Sequence, residues 1–341
     1  MRAALFQGAG RPLAIERIAD PRPAADQILI EVARAGICGS DLHMSEFGAV
    51  PAGTVFGHEF AGTIVALGGA VAGDWRLGDR VTALPLQACS ACQACAAGLP
   101  ALCDSGRFTG TTLQFPGAYA EYVGARATMV QRLPPGVSFA AGAMVEPLAV
   151  SHHAVELSQL SRGAAVLVIG AGPIGAGVSL FARRAGARHV IVSERSAERR
   201  EIALALGATA VIDPASQDVA ERFAALAGGR PQIVFECVGV AGLLQQAIEL
   251  AGVRGRVLVA GVCFSEDRIQ PLAALMKEVN VQFCQCYTEA NFAAVIAAID
   301  RREISPAPMH TDTVGFAMLP QTFEALRVSP RGCKVLIDPQ A

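Results

Sequence analysis

Residues 164–175 read Ala164-Ala-Val-Leu-Val-Ile169-Gly170-Ala-Gly172-Pro-Ile-Gly175. The uninterrupted apolar run suits a parallel strand covered on both faces. The glycines follow it directly and open a helix expected over Ile174–Ala185, so G-x-G-x-x-G stands in its proper context of strand, turn and helix. In such a turn the backbone can approach a pyrophosphate, and free N–H groups at the helix N-terminus point at it. Gly170, Gly172, Pro173, Ile174 and Gly175 are the candidate phosphate-binding residues. A second strand, His189-Val-Ile-Val192, runs into Ser193-Glu194 about twenty residues beyond the last glycine, where an acid grips the adenosine ribose. A carboxylate there accepts bonds from a free diol and repels a 2′-phosphate, which favours NAD. Arg195 and Arg199 beside it keep NADP as the alternative.

Downstream the alternation continues. Strands are expected at Ala210–Ile212, Gln232–Phe235, Gly255–Ala260 and Val279–Phe283, with helices between them, including one over Val240–Leu250. Strand and helix in turn argue a doubly wound, Rossmann-type α/β domain over 151–285. After it come one helix (Asn291–Arg301) and one strand (Lys334–Ile337). These are too few for a third domain, so residues 286–341 are expected to rejoin 1–150 and leave the nucleotide domain as an insertion.

Upstream the pattern is different. Residues 1–35 read as short strands broken by Pro12, Pro21 and Pro23; further strands are expected at Ile28–Ala35, Phe60–Leu67, Val81–Leu84 and Gly117–Val123. Short strands with turn signals at this spacing suggest a partly closed β barrel. Between the strands at Ile28–Ala35 and Phe60–Leu67 stand Gly36-Ile-Cys38-Gly-Ser40-Asp41-Leu-His43 and Gly57-His58-Glu59. Thiolate, imidazole and carboxylate are what Zn²⁺ takes in a catalytic site, with one position left for water or substrate. Cys38 and His58 supply the first two, and the third comes from Glu59 or from Glu146. Glu146 lies in the apolar segment 140–154, where a carboxylate is costly unless paired, protonated or metal-bound. His152 and His153 are adjacent, cannot share a helix face, and read as structural.

Cys89-Ser-Ala-Cys92-Gln-Ala-Cys95 with Cys103 can close a tetrahedron around one Zn²⁺ from a single loop. Such a site has no open position and serves to hold a lobe with little core of its own. Iron–sulfur and redox-dithiol readings compete, but no Pro follows Cys103 and there is no second set of cysteines. The other six cysteines are scattered, which is metal spacing in a reducing compartment and not a disulfide framework.

The 341 residues carry a formal net charge of −2 and are 52% apolar, with no electrostatic footprint for nucleic acid or anionic lipid. The first residues form too short an apolar run for a signal peptide, and the longer apolar stretches are broken by Gly and Pro. A cytoplasmic protein that binds neither nucleic acid nor membrane is expected. Of 28 basic residues only Lys277 and Lys334 are lysine.

Together these motifs, in this order and across essentially the whole chain, resemble the zinc-containing medium-chain dehydrogenases/reductases, in the branch of sorbitol, threonine and butanediol dehydrogenases. The resemblance implies a GroES-like partly open barrel with a Rossmann domain, two zinc ions per subunit, one catalytic and one structural, and a nicotinamide cofactor. It implies that Cys38 and His58 bind catalytic zinc, with Glu59 or Glu146 as the acid ligand in different members and states. Asp41 would orient His58, Ser40 would take the alcohol proton, and His43 would pass it to solvent. Cys237, Val238, Gly261 and Val262 join the cofactor-binding set. Relatives commonly form homodimers or homotetramers through the edge of the nucleotide domain, which here would involve the 279–289 strand. Two departures bear on substrate: Met44 stands where polyol-active relatives carry an aromatic, and Phe283-Cys-Gln-Cys-Tyr287 lacks their Arg. With Met44, Phe47, Phe108 and Phe115 as candidate pocket residues, the expected reaction is reversible oxidation of a secondary or hydrophobic, including aromatic, alcohol. A polyol or vicinal-diol dehydrogenase is the alternative, and a non-catalytic nucleotide-binding sensor is the alternative of another class.

Overall fold

The computed structural model describes residues 1–329 and 331–341. The chain divides into two compact units, Met1–Glu146 with Thr288–Ala341, and Pro147–Tyr287.

In the first unit, β1 (Arg2–Leu5) and β2 (Ala14–Arg17) form an antiparallel pair. The ten-residue β3 (Gln27–Gly36) is followed by α1 (Gly39–Phe47), β4 (Glu59–Leu67), β5 (Arg80–Ala83) and β6 (Leu86–Gln87). Then come α2 (Gln93–Ala96), β7 (Arg107–Phe108), β8 (Tyr122–Arg126), β9 (Val130–Arg132), α3 (Phe139–Ala143) and the start of α4 (Val145–Leu157). Ser138 caps α3 by accepting the Ala141 N–H at 3.1 Å, a bond of the kind that contributes about 1 kcal/mol.

The spine of this unit is β3. It pairs antiparallel with β4 and β8, and at its end with the C-terminal strand, extending a sheet that continues through β5 to β9. Its alternating Ile28, Ile30 and Val32 are fully buried and join Phe6, Phe56, Phe60, Tyr119 and Phe323 in one core. The strand expected at 117–123 begins only at Tyr122. Gly117, Ala118 and Tyr119 instead donate to the carbonyls of Val55, Gly57 and Phe56, which draws that segment off the sheet and beside His58.

The second unit holds β10 (Ala165–Ile169), α5 (Pro173–Arg184), β11 (His189–Ser193), α6 (Ala197–Ala205), β12 (Ala210–Ile212), α7 (Val219–Ala227), β13 (Ile233–Glu236), α8 (Leu243–Leu250), β14 (Arg256–Val259), α9 (Pro271–Leu275) and β15 (Asn280–Phe283). All six strands are parallel, in the order β12-β11-β10-β13-β14-β15. The strand order reverses between β10 and β13, which makes the carboxyl ends of those two strands the place where such sheets bind ligands. α8 starts three residues later than expected because Gly242, at φ +90°, turns the chain immediately before it.

The chain then returns to the first unit through α10 (Glu289–Asp300), β16 (His310–Gly315), α11 (Leu319–Val328) and β17 (Lys334–Asp338). Thr288 and Asn291 close a capping box on α10. Among the described residues no helix is long and apolar enough to cross a membrane.

Candidate metal centres and nucleotide-binding turn

β3 ends at Gly36, which lies opposite Glu59, the first residue of β4. Cys38 and His58 therefore flank adjacent strand ends. A thiol sulfur, an imidazole nitrogen and a carboxylate oxygen from Cys38, His58 and Glu59 all lie within 4.8 Å of one another. Cys38 is the N-cap of α1 but makes no capping bond with its side chain, so its thiol is spared for another partner. The first turn of α1 carries Ser40, whose hydroxyl donates to Cys38 Sγ at 3.2 Å, and Asp41, which is fully buried.

Asp41 is anchored through one oxygen and faces His58 with the other. Oδ2 accepts from the Tyr119 hydroxyl at 2.7 Å, and Oδ1 stands 3.2 Å from His58 Nδ1. A carboxylate against Nδ1 fixes that nitrogen as the protonated one and leaves Nε2 as the ligating one. Burial is the largest influence on His58 and disfavours its charge. Asp41 and Cys38 outweigh it, and the imidazole pKa stands well above its ordinary value. That pull toward positive charge, in a ring of thiol, imidazole and carboxylate donors, fits a divalent cation of the zinc type.

Glu59 is also fully buried, and both its oxygens accept from Lys334 Nζ, at 2.7 and 2.6 Å. Lys334 is the residue that sequence reasoning missed; its rarity in an arginine-rich chain was the available signal. Glu146 is buried in the first turn of α4 and lies outside the three-residue cluster. His43, half-exposed on α1, has Nδ1 3.9 Å from Glu46. The candidate pocket residues are dispersed over several elements. Met44 packs on the barrel core, Phe47 is 57% exposed near the end of α1, Phe108 is on β7, and Phe115 is half-buried.

The second cluster is the cysteine loop. The sulfurs of Cys89, Cys92, Cys95 and Cys103 all lie within 4.8 Å of one another. The N–H groups of Ala91 and Cys92 donate to Cys89 Sγ at 3.4 and 3.3 Å and draw its pKa down to about 6. Partial burial and then the Cys92 and Cys103 thiols push Cys95 up to about 12. Four thiols in this space cannot all ionise without a cation among them, which is the donor chemistry of a closed structural zinc site.

In the second unit the glycine turn is built for a close ligand. Gly170 has φ +88°, and a Cβ there would press into the Val238 side chain. A Cβ on Gly175 would overlap the Gly170 carbonyl, so α5 could not sit so tightly on β10. Gly172, by contrast, opens α5 with Pro173 at the first helical position and faces open space. The nearest atom to a Cβ there is a guanidinium nitrogen of Arg199, 4.0 Å away. Glu194 Oε2 accepts the Ala171 N–H and Oε1 the Ser196 N–H, both at 2.8 Å, so this acid is seated directly on the glycine turn. Arg195 is exposed.

Across the switch point, the loop after β13 carries Cys237 and Val238, and the one after β14 carries Gly261 and Val262; both valines are exposed. A second residue missed from sequence organises these loops. Glu236 is buried and accepts the N–H groups of Val238 and Gly239 at 2.7 and 2.9 Å. Burial, the largest influence, raises its pKa.

Residues 24–135 match the family of alcohol dehydrogenase GroES-like domains, and residues 173–301 match the family of zinc-binding dehydrogenases. The chain is 32% identical to 2-dehydro-3-deoxy-L-galactonate 5-dehydrogenase of Pseudoalteromonas atlantica, over 93% of this chain and 92% of that one. It is also 32% identical to a sorbitol dehydrogenase of Bombyx mori, over 82% of each. Among solved structures, a Sinorhizobium meliloti protein described as a zinc-binding dehydrogenase and bound to NADP superposes with a TM-score of 0.90. It shares 32% identity over 99% of both chains.

Proposed function

The chain belongs to the zinc-type medium-chain dehydrogenase/reductase family, and from that membership we propose that it catalyses reversible hydride transfer between a secondary alcohol and NAD. The observation that carries the proposal is the convergence of Cys38, His58 and Glu59 within 4.8 Å, in a chain that also holds an acid-seated glycine turn. Cys38 and His58, with Glu59 or Glu146, would hold catalytic zinc, and the four cysteines of the loop would hold structural zinc. When bound, the metal supplies a Lewis acid that makes an alcohol easier to deprotonate near neutral pH, and the nicotinamide supplies the hydride acceptor.

The protein's own groups then orient and move the proton. Asp41, itself fixed by Tyr119, holds the His58 ring in one tautomer. The Ser40 hydroxyl, already in the cluster through Cys38 Sγ, is the group to receive the substrate proton. The half-exposed His43 hands it to solvent.

Met44 and the Arg-free segment 283–287 support a less polar secondary or aromatic alcohol as substrate. The second reading, a polyol or vicinal diol, is supported by the polyhydroxylated substrates in the names of the relatives. A panel of butane-2,3-diol, sorbitol, a simple secondary alcohol and a benzylic alcohol, each with NAD and NADP, separates them. Because apolar walls discriminate weakly, the apolar alcohols are expected to lead sorbitol by roughly tenfold in kcat/KM. NAD is expected to lead NADP by at least about tenfold, since a 2′-phosphate would meet the Glu194 carboxylate. Sorbitol as the best substrate would install the polyol reading. Tight NAD binding with two zincs and no turnover would install the sensor.

The same reading makes the protein a cytoplasmic homodimer or homotetramer. The ten cysteines, with no disulfide among the described residues, fit a reducing compartment. β15 is an edge strand, and its Phe283 is 68% exposed, with Leu275 at the end of α9 and Met276 just after it similarly bare. Pairing two such edges would cover them. Sedimentation is expected to give twice or four times the 35.3 kDa chain mass, with Phe283→Arg shifting it toward the monomer. A monomeric wild type sinks the assembly proposal.

A further inference from the structure

Lys334 opens β17 and is fully buried, with all three ammonium protons spent: Ile37 O at 3.0 Å, Glu59 Oε1 at 2.7 Å and Glu59 Oε2 at 2.6 Å. It therefore touches the residue before Cys38 and the residue after His58, and ties together the two strand ends that carry the candidate ligands. On its other side Glu59 lies flat against Gly36, where a Cβ would overlap the carboxylate.

The choice of lysine is informative. The chain's only other lysine, Lys277, likewise converges three bonds on three oxygens, those of Ile248, Glu249 and Ala251, at 2.7, 2.9 and 2.8 Å. Everywhere else the positive charge is arginine. At both lysines three acceptors surround one nitrogen, and the three protons of an ammonium can meet them one to one, where a single guanidinium nitrogen offers at most two.

Charge gives this arrangement a function. Cys38 as thiolate, Asp41 and Glu59 bring three negative charges to a small buried volume. A zinc ion would bring two positive charges and Lys334 a third, and because both Glu59 oxygens accept from Lys334 Nζ, the lysine offsets that carboxylate and leaves the metal's charge to its ligands and to a deprotonated alcohol.

Resting on the reading of Cys38 and His58 as a catalytic zinc site, we propose that Lys334 is a positioning residue that holds Glu59 beside the metal as a neutralised partner and keeps it from becoming a permanent ligand. Glu146 would then be the acid ligand beside Cys38 and His58, and the fourth position would stay open to substrate. Without Lys334, Glu59 has only the metal to balance it, and would bind tightly at that position.

The test uses the full chain with Lys334→Met, Glu59→Gln and the double variant. Zinc affinity is read by chelator competition, ligation by the visible spectrum after cobalt substitution, and stability by melting of the zinc-depleted and zinc-loaded protein. Lys334→Met is expected to bind zinc at least about tenfold more tightly while turning over at least about tenfold more slowly, the range in which outer partners of metal ligands act. Its cobalt spectrum should change, and its melting temperature should rise more on zinc binding than the wild type's. The double variant should return zinc affinity and spectrum close to wild type. Tighter metal with slower turnover is a combination that structural damage does not produce. Unchanged or weaker zinc binding with an unchanged spectrum overturns the proposal and leaves Lys334 a structural tie.

Should Lys334→Met fail to fold, Glu59→Gln decides. A loss of zinc affinity below about tenfold supports the proposal, and a loss beyond about a hundredfold makes Glu59 an ordinary ligand and overturns it. If Cys38→Ser leaves zinc content at its wild-type value, the metal reading itself has failed and takes the proposal with it.

Discussion

Cys38→Ser is expected to lower kcat/KM by about a thousandfold or more, equivalent to roughly 4 kcal/mol of transition-state stabilisation, and to reduce zinc from two ions per chain to one. The thiolate is the softest donor of the Cys38–His58–Glu59 cluster, and serine at neutral pH offers a protonated hydroxyl in its place. The fold should tolerate the change. Cys38 makes no side-chain capping bond to α1, and serine is itself a favoured N-cap. Lys334 still ties Ile37 to Glu59 in the variant. Metal analysis alongside steady-state kinetics and circular dichroism checks the prediction. A variant that keeps both zincs and its turnover would remove the catalytic centre from this cluster. One that loses turnover and its secondary structure together would show that the residue acts on folding. Asp41→Asn should show the same sign with a smaller effect, about 10- to 100-fold, because it disturbs the ring that ligates rather than the ligand.

What the sequence could say about this chain followed how local each signal is. The glycine turn and the cysteine loop are contiguous stretches, so residue type and spacing were enough to propose a chemistry for each. Cys38 and His58 are twenty positions apart, yet each sits in a short cluster of polar residues at a strand end, and β3 pairing with β4 brings them together. The partners that tune them are remote. Tyr119 reaches Asp41 across 78 positions and Lys334 reaches Glu59 across 275, and nothing in the periodicity of either segment announces the pairing. Both follow from topology: residues 117–119 leave the sheet to bond with residues 55–57, and β17 docks antiparallel on the end of β3. Glu236 was hidden for the opposite reason. Its bonds are local, but at the end of an apolar strand its carboxylate gives no sign that it turns back onto the backbone N–H groups two and three residues on. The boundaries that shifted, at Tyr122 and Leu243, did so where backbone bonding or a positive φ at Gly242 overrode side-chain pattern.

The cysteine loop carries the other large effect. Between Cys89 and Cys103 the helix α2 has four residues and buries none, and the three-residue turn at Pro100–Leu102 buries none either. Its base is fastened by the short β6–β7 ladder, pairing Leu86 with Phe108 and Gln87 with Arg107, by the bonds of Thr109 to Pro85 and Gln87, and by the Arg126 guanidinium on the Ala88 carbonyl. A segment that hides so little apolar surface cannot offset the entropy of ordering its backbone, about 1–2 kcal/mol per residue. Structural zinc, worth about 10–16 kcal/mol in small metal-folded domains, offsets a large part of that cost. Cys103→Ser is therefore expected to lose one zinc and to open 89–106 to limited proteolysis, while the six-stranded parallel sheet stays resistant. If about 4 kcal/mol of the first unit's stability goes with it, the melting temperature should fall by roughly 10 °C, at 2–4 °C per kcal/mol for a unit of this size. Cleavage confined to the loop, together with a zinc count of one, would identify it as a metal-folded lobe. A variant with full zinc content and an unchanged cleavage pattern would mean that the β6–β7 ladder holds the loop by itself, and that the four thiols serve some purpose other than structure.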